Sequence, residues 1–218
     1  DAEKHWVSIV APFSNDQYGW EDITQPTGEI KLPETVGYNG TTYTVTAIGE
    51  WAFYRCDGLT GSLNIPNSVT NIGNFAFSCC EGFNGSLTIG NSVTYIGWQA
   101  FYKCSGFKGS LTIGNSVERI EEEAFYDCSG FTGDLIIPNS VEFIGKSAFE
   151  NCSGFTGNLT IGNSVESIGD GAFERCSGFT GSLNIPNSVK IIEKNVFRMC
   201  SGFTGNLTIG NSVESIKD

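Results

Sequence analysis

Cysteine and histidine carry the widest chemical repertoire in this 218-residue chain, which has eight of the first and one of the second. Cys56, Cys80, Cys104, Cys128, Cys152, Cys176 and Cys200 follow one another at intervals of 24 residues, and Cys79 alone is out of step. A zinc centre takes thiolates in closely spaced Cys-x-x-Cys pairs, and the sequence has none. Disulfides are geometrically open to the series if it stacks. Rungs about 4.8 Å apart fall within the Cα separation of roughly 4.4–6.8 Å that a bridge spans. A column of identical residues, however, points its side chains in parallel, which suits packing better than bridging. The seven are therefore expected as free, buried thiols, with off-column Cys79 the more exposed and reactive. A Ser-His-Asp or Cys-His constellation would have to recruit His5, close to the N-terminus.

The remaining chemical signals are faint. Glu121, Glu122 and Glu123 could approach a cation, but a solvated acidic flank explains them as well. No His-Glu-x-x-His, phosphate-binding glycine loop or calcium loop is present. Neither a cofactor nor an enzymatic activity is expected. With 24 acidic residues against 12 basic ones, the surface repels phosphate backbones, so nucleic acid is not an expected partner. No apolar run approaches the roughly 18–20 residues that span a bilayer. The chain starts at Asp1 without methionine, which reads as a processed or trimmed fragment.

What would position these residues is a repeat. Phenylalanine recurs three residues before each cysteine of the series, from Phe53 to Phe197. Leu59, then Phe83 to Phe203, recurs three after. Columns of Ile, Ala, Leu, Ile and Val start at Ile48, Ala52, Leu63, Ile65 and Val69. Seven units fit: 48–71, 72–95, 96–119, 120–143, 144–167, 168–191 and 192–215. Eight apolar side chains per unit cannot offset the entropy of ordering 24 residues, so a unit is stable only stacked on copies of itself. The 28 glycines recur at the same step and read as turn residues.

Leu-x-Ile alternates as a short strand does, and Gly or Pro closes it. Asn-Ser then suits a turn, and Val-x-x-Ile continues as extended or irregular chain on the opposite side. Gly-x-x-Ala-Phe-x-x-Cys has apolar residues at helical spacing. These signals predict a right-handed coil with a parallel β-sheet on one face and short helical or 3₁₀ turns on the other.

Residues 1–47 differ in composition and read as an N-terminal β cap. Ile30, Leu32, Pro33 and Val36 repeat the spacing of Leu63, Ile65, Pro66 and Val69, which marks 28–56 as a degenerate first coil. Asn39-Gly40 signals a hairpin insertion, and Trp6–Val10 a further strand. Residues 48–216 then hold the seven units and the start of an eighth. The stop at Ile216-Lys217-Asp218 shows no capping change. It reads as a truncation, leaving an apolar end expected to self-associate end to end.

Gly-Asn-Ser-Val-Glu-Ser-Ile-Gly-Asp-Gly-Ala-Phe-Glu-Arg-Cys (162–176) resembles the BspA-like leucine-rich repeat, and residues 32–49 resemble that family's N-terminal region. The resemblance covers roughly residues 28–216. It implies a leucine-rich-repeat solenoid on a bacterial surface, extracellular and adhesive, with a host matrix or cell-surface protein as partner. Any export signal or anchor would lie outside these residues. Two surfaces are candidates for contact. Trp51, Tyr54, Phe75, Tyr95, Trp98, Tyr102 and Tyr126 occupy slots outside the apolar columns and form an aromatic-rich flank, or else shield the core. Thr112, Asp134, Ile136, Asn158 and Thr160 break the regularity of an otherwise uniform polar strand face, expected to be concave. A structural spacer of roughly 35 Å, seven rungs of about 4.8 Å, and a carbohydrate binder using exposed aromatics are the alternative functions.

Overall fold

A computed structural model of the chain describes residues 5–11 and 24–217. Expected cap residues 1–4 and 12–23 lie outside these.

Each 24-residue unit makes one turn of a coil, and the register of the strand pairs between these units steps by 24. Ile72 pairs with Ile96, Ile96 with Ile120, and Ile120 with Ile144. The columns thereby become rows. The Val, Ala, Phe and Cys side chains of the middle units, and the Ile that closes each Val-x-x-Ile segment, are wholly removed from solvent. Phe77, Phe101, Phe125, Phe149 and Phe173 stack nearly parallel, with neighbouring centroids 5.1–5.4 Å apart. A second row runs Phe83, Phe107, Phe131, Phe155 and Phe179, at 5.0–5.8 Å.

The principal sheet lies on the side where the sequence suggested extended or irregular chain. The residue before each Ile of the Val-x-x-Ile segment and that Ile form two-residue strands, from Asn71–Ile72 to Ser215–Ile216. With the N-terminal strands they make one ten-stranded sheet. The Leu-x-Ile face, expected to carry the sheet, is divided into separate ladders of three, two and two strands. Two residues are too few for a period of two to show, so Val-x-x-Ile reads only as extended or irregular chain.

At the N-terminal end, Thr35–Tyr38 and Thr41–Ile48 form an antiparallel hairpin. Asn39 and Gly40 at its tip both take positive φ, 48° and 76°, the pattern of a type I′ turn. Trp6–Ile9 pairs parallel with Thr41–Ile48, which passes the ladder on to Asn71–Ile72. Val45 and Leu32 extend the core beneath.

The expected helical turns are absent: no helix occurs among the described residues. Gly97–Cys104 shows why. Ala100, Tyr102 and Cys104 donate their N–H groups back three residues, to Gly97, Gln99 and Phe101. The alternate residues Gln99, Phe101 and Lys103 donate instead to Glu122, Ala124 and Tyr126 of the next coil, at 3.1, 2.8 and 2.7 Å. To aim these donors outward, Gln99 and Lys103 adopt left-handed φ of 52° and 56°, as their equivalents do in the other coils. Such residues cost roughly 1–2 kcal/mol each, offset by hydrogen bonds that tie coil to coil. Ala-Phe-x-x-Cys spacing is shared by both conformations, and only the neighbouring coil decides between them.

Candidate binding surfaces

The cysteine series forms a single row, free of disulfides. Cys80, Cys104, Cys128, Cys152 and Cys176 are fully buried. Each thiol donates to the carbonyl of the phenylalanine 27 residues earlier, as Cys104 Sγ does to Phe77 O at 3.0 Å and Cys128 Sγ to Phe101 O at 3.0 Å. Burial pushes all five thiols far above their ordinary range. Cys56, in the first coil, is pushed up to about 12, by burial and then by Asp57. Less buried Cys200 is pushed up to about 11 by desolvation. A raised pKa keeps these groups protonated and poorly nucleophilic at neutral pH. Cys79 is off the row and only partly buried, with its sulfur 3.8 Å from Ser78 Oγ.

Other candidate chemical groups are structurally engaged. His5 is exposed, its ring 6.0 Å from that of Tyr43. Glu121 pairs with Arg119 at 2.8 Å, Glu122 with Lys146 at 3.4 Å, and Glu123 accepts from Gln99 Nε2 at 2.5 Å. No group of three metal-ligating side chains is found among the described residues.

The turn face carries the aromatic flank. Trp51 stacks on Phe75 of the next coil with centroids 3.9 Å apart and planes 9° from parallel. Tyr54 meets Trp51 edge-on at 4.8 Å, and Trp98 meets Phe75 at 4.7 Å. These four form one contiguous cluster across three coils. Trp98 is its most open member, 43% exposed, while the other three are half-buried. Tyr102 and Tyr126 form a separate stacked pair, 5.0 Å apart. Tyr95 does not join either group. It sits in the ten-stranded sheet between Asn71 and Arg119, where Arg119 lies 4.3 Å over the Phe143 ring. Two cations belong to the flank that sequence reading did not include. Arg55 sits 5.4 Å over Tyr54 and Lys103 5.3 Å over Tyr102. The signal was there in the repeated Tyr-Arg and Tyr-Lys dipeptides, one repeat interrupted by Ser78-Cys79.

The second surface is the outward side of the Leu-x-Ile strands. Thr112, Asp134, Ile136, Asn158 and Thr160 are all exposed on it. Ile136 is 57% exposed amid polar neighbours. Asp134 Oδ1 is engaged by Asn158, which donates its backbone N–H at 2.6 Å and its side-chain amide at 3.3 Å. A shallow groove runs between Thr112 and Ile136, floored by Leu111 and Ile113.

Comparison with known proteins settles what kind of chain carries these surfaces. The profile of the BspA type leucine rich repeat region matches in six copies, over residues 39–156 and 118–218. The chain belongs to this BspA-type leucine-rich-repeat family. Repeats of this family are generally protein-interaction modules. Among solved structures, the chain is similar to a leucine-rich repeat protein from Bacteroides ovatus ATCC 8483, with 28% identity and a TM-score of 0.76 over 96% of this chain and 54% of that one. It thus spans about half the length of that relative. The fold is also shared with the T. pallidum leucine rich repeat protein, at 24% identity and a TM-score of 0.58, covering 87% of this chain and 72% of that one. A leucine rich cell surface protein from Faecalibacterium prausnitzii A2-165 shares it as well, at 24% identity and a TM-score of 0.55, with 89% and 66% covered. No curated protein sequence matches. Like other solenoids, this BspA-type chain offers long open faces; among its described residues no helix is long and apolar enough to cross a membrane.

Proposed function

We propose that the chain is a non-catalytic protein-binding module of an extracellular or cell-surface adhesin, and that it meets its partner through the aromatic flank. The observation that carries this reading is the Trp51–Tyr54–Phe75–Trp98 cluster. These rings lie outside the core rows, and aromatic residues with arginine dominate the energetics of protein contacts. Arg55 beside Tyr54 supplies that companion. The family's general role in protein interaction supports binding, and the surface protein of Faecalibacterium prausnitzii supports the location. Residues 1–47 serve as the cap of this module, and residues 48–216 as its coils.

Replacing Trp98 and Tyr102 together with alanine should weaken capture of a cognate extracellular-matrix or cell-surface protein about tenfold or more. Thermal stability should fall by much less than a core substitution costs. Surface plasmon resonance against a defined panel of such proteins, beside a glycan array, reads the outcome. Unchanged affinity in the double variant removes the flank from the binding site. Saturable binding to glycans and to no protein replaces the partner class. Binding to neither leaves the chain a spacer that holds another domain away from the cell.

A further inference from the structure

The Leu-x-Ile face is interrupted at places that follow one residue in the repeat. The corner after the strand is Pro66, Gly90, Gly114, Pro138, Gly162, Pro186 and Gly210 in successive coils. Strands are paired from Leu63 through Leu87 to Leu111, from Leu135 to Leu159, and from Leu183 to Leu207. Between Leu111 and Leu135, and between Leu159 and Leu183, no pairing occurs. Among the described residues, no strand pairing joins Ile30–Leu32 to Leu63–Ile65 either. Every coil whose corner is proline thus starts a new ladder, and every coil whose corner is glycine continues the one before it.

The cause is steric. A β-carbon built on Gly90 would lie 2.6 Å from the carbonyl oxygen of Pro66, and one built on Gly210 would lie 2.5 Å from that of Pro186. One on Gly114 or Gly162 would collide with the carbonyl oxygen of Gly90 or Pro138 below. The corners nest only because the upper residue has no side chain. Proline brings a full ring into that position and must stand off. Leu87 and Ile89 donate to Ser110 and Thr112 at 3.0 and 2.9 Å, and Leu135 and Ile137 to Asn158 and Thr160 at 3.0 and 2.9 Å. The equivalent bonds from Leu111 and Ile113, and from Leu159 and Ile161, are missing. The core shows through at the same places. Leu111, Ile113, Leu159 and Ile161 are 4–6% exposed, against 0–2% for Leu87, Ile89, Leu135 and Ile137. The groove between Thr112 and Ile136 is one of these gaps, and a second groove, walled by Leu32, Pro33 and Pro66, lies at another.

We propose that the proline corners divide the solenoid into blocks that are joined continuously on the Ile side and parted on the Leu side. Pro66, Pro138 and Pro186 each open a seam, and the ten-stranded sheet opposite acts as the common hinge. The Leu-x-Ile face can then change its curvature at fixed positions without disturbing the rows of the core, and local opening starts there.

Amide hydrogen exchange on the full chain, resolved residue by residue, tests this. Leu111, Ile113, Leu159 and Ile161 should exchange about tenfold or more faster than Leu87, Ile89, Leu135 and Ile137. Pro138→Gly should slow Leu111 and Ile113 to the rates of Leu87 and Ile89 and leave Leu159 and Ile161 fast. Pro138→Ala keeps a β-carbon and should leave the seam open. Gly90→Ala should create a seam, freeing Leu63 and Ile65. Gly97, whose amide bonds to Ile72 O in the hinge sheet, reports that each variant is folded. Equal exchange in all coils of the unaltered chain, or a folded Pro138→Gly chain with Leu111 and Ile113 still fast, overturns the proposal.

Discussion

Replacing Phe125 with alanine should destabilise the solenoid by about 3–5 kcal/mol, as removal of a fully buried aromatic ring does. Phe125 is wholly inaccessible, and its ring lies between Phe101 at 5.2 Å and Phe149 at 5.1 Å, nearly parallel to both. Its removal takes away two stacking contacts as well as its own burial. The coils on either side are tied by backbone bonds, such as those from Phe101 to Ala124 and from Phe125 to Ala148, so they cannot close over the gap. Urea unfolding followed by circular dichroism should show a lower midpoint. A loss below about 1 kcal/mol would mean that the row is not a packed interior.

The second large effect is expected at a residue with no side chain. Gly106 precedes Phe107 at the exit from the turn, and a β-carbon there would collide with the carbonyl oxygen of Glu81 and lie 2.5 Å from that of Phe83. Both obstacles are backbone of the preceding coil and cannot rotate aside. Gly106→Ala should therefore cost about 3 kcal/mol, the upper end for overpacking. Gly133 is the internal control. It has φ of 79° with open space where a β-carbon would stand, so Gly133→Ala should cost only the left-handed backbone penalty of about 1 kcal/mol. The ordering of the two melting temperatures, with Gly106→Ala much the lower, checks close approach against backbone freedom. The reverse order contradicts the stacking geometry.

The seven-fold register was legible because a period of 24 acts on every column at once. It showed which residues line up and that Phe, Cys, Val and Ile are inside. What escaped was anything settled by hydrogen bonds between coils. Ala100, Phe101 and Cys104 have the spacing of a helix, yet Gln99 and Lys103 send their N–H groups to the next coil and leave helical geometry. The Ile side reads as extended or irregular chain, and that it forms the long sheet escaped because Tyr95–Ile96 and its equivalents are two residues long. The breaks in the Leu-x-Ile face depend on which corner lies beneath which, a relation between Gly114 and Pro138 that neither residue shows alone.

The candidate site divides in the same way. That Trp51 and Phe75 share a slot one coil apart was readable, and they are stacked. Trp98 falls one position earlier in its unit, so its contact with Phe75 comes from the shape of the turn and not from the register. Tyr95 shares the aromatic character of the flank but belongs to a strand of the Ile-side sheet, since its slot precedes the column Ile.

The stacking of like residues rung on rung is tested most directly by the cysteines themselves, one in each coil. Maleimide labelling of the native protein at about pH 8, read thiol by thiol by mass spectrometry, should modify Cys79 first and Cys200 slowly. Cys80, Cys104, Cys128, Cys152 and Cys176 should stay unmodified until denaturant is added, because burial both hides them and keeps them protonated. Prompt native labelling of several of those five would show that residues 24 apart do not share one buried row, and the coil would have to be abandoned.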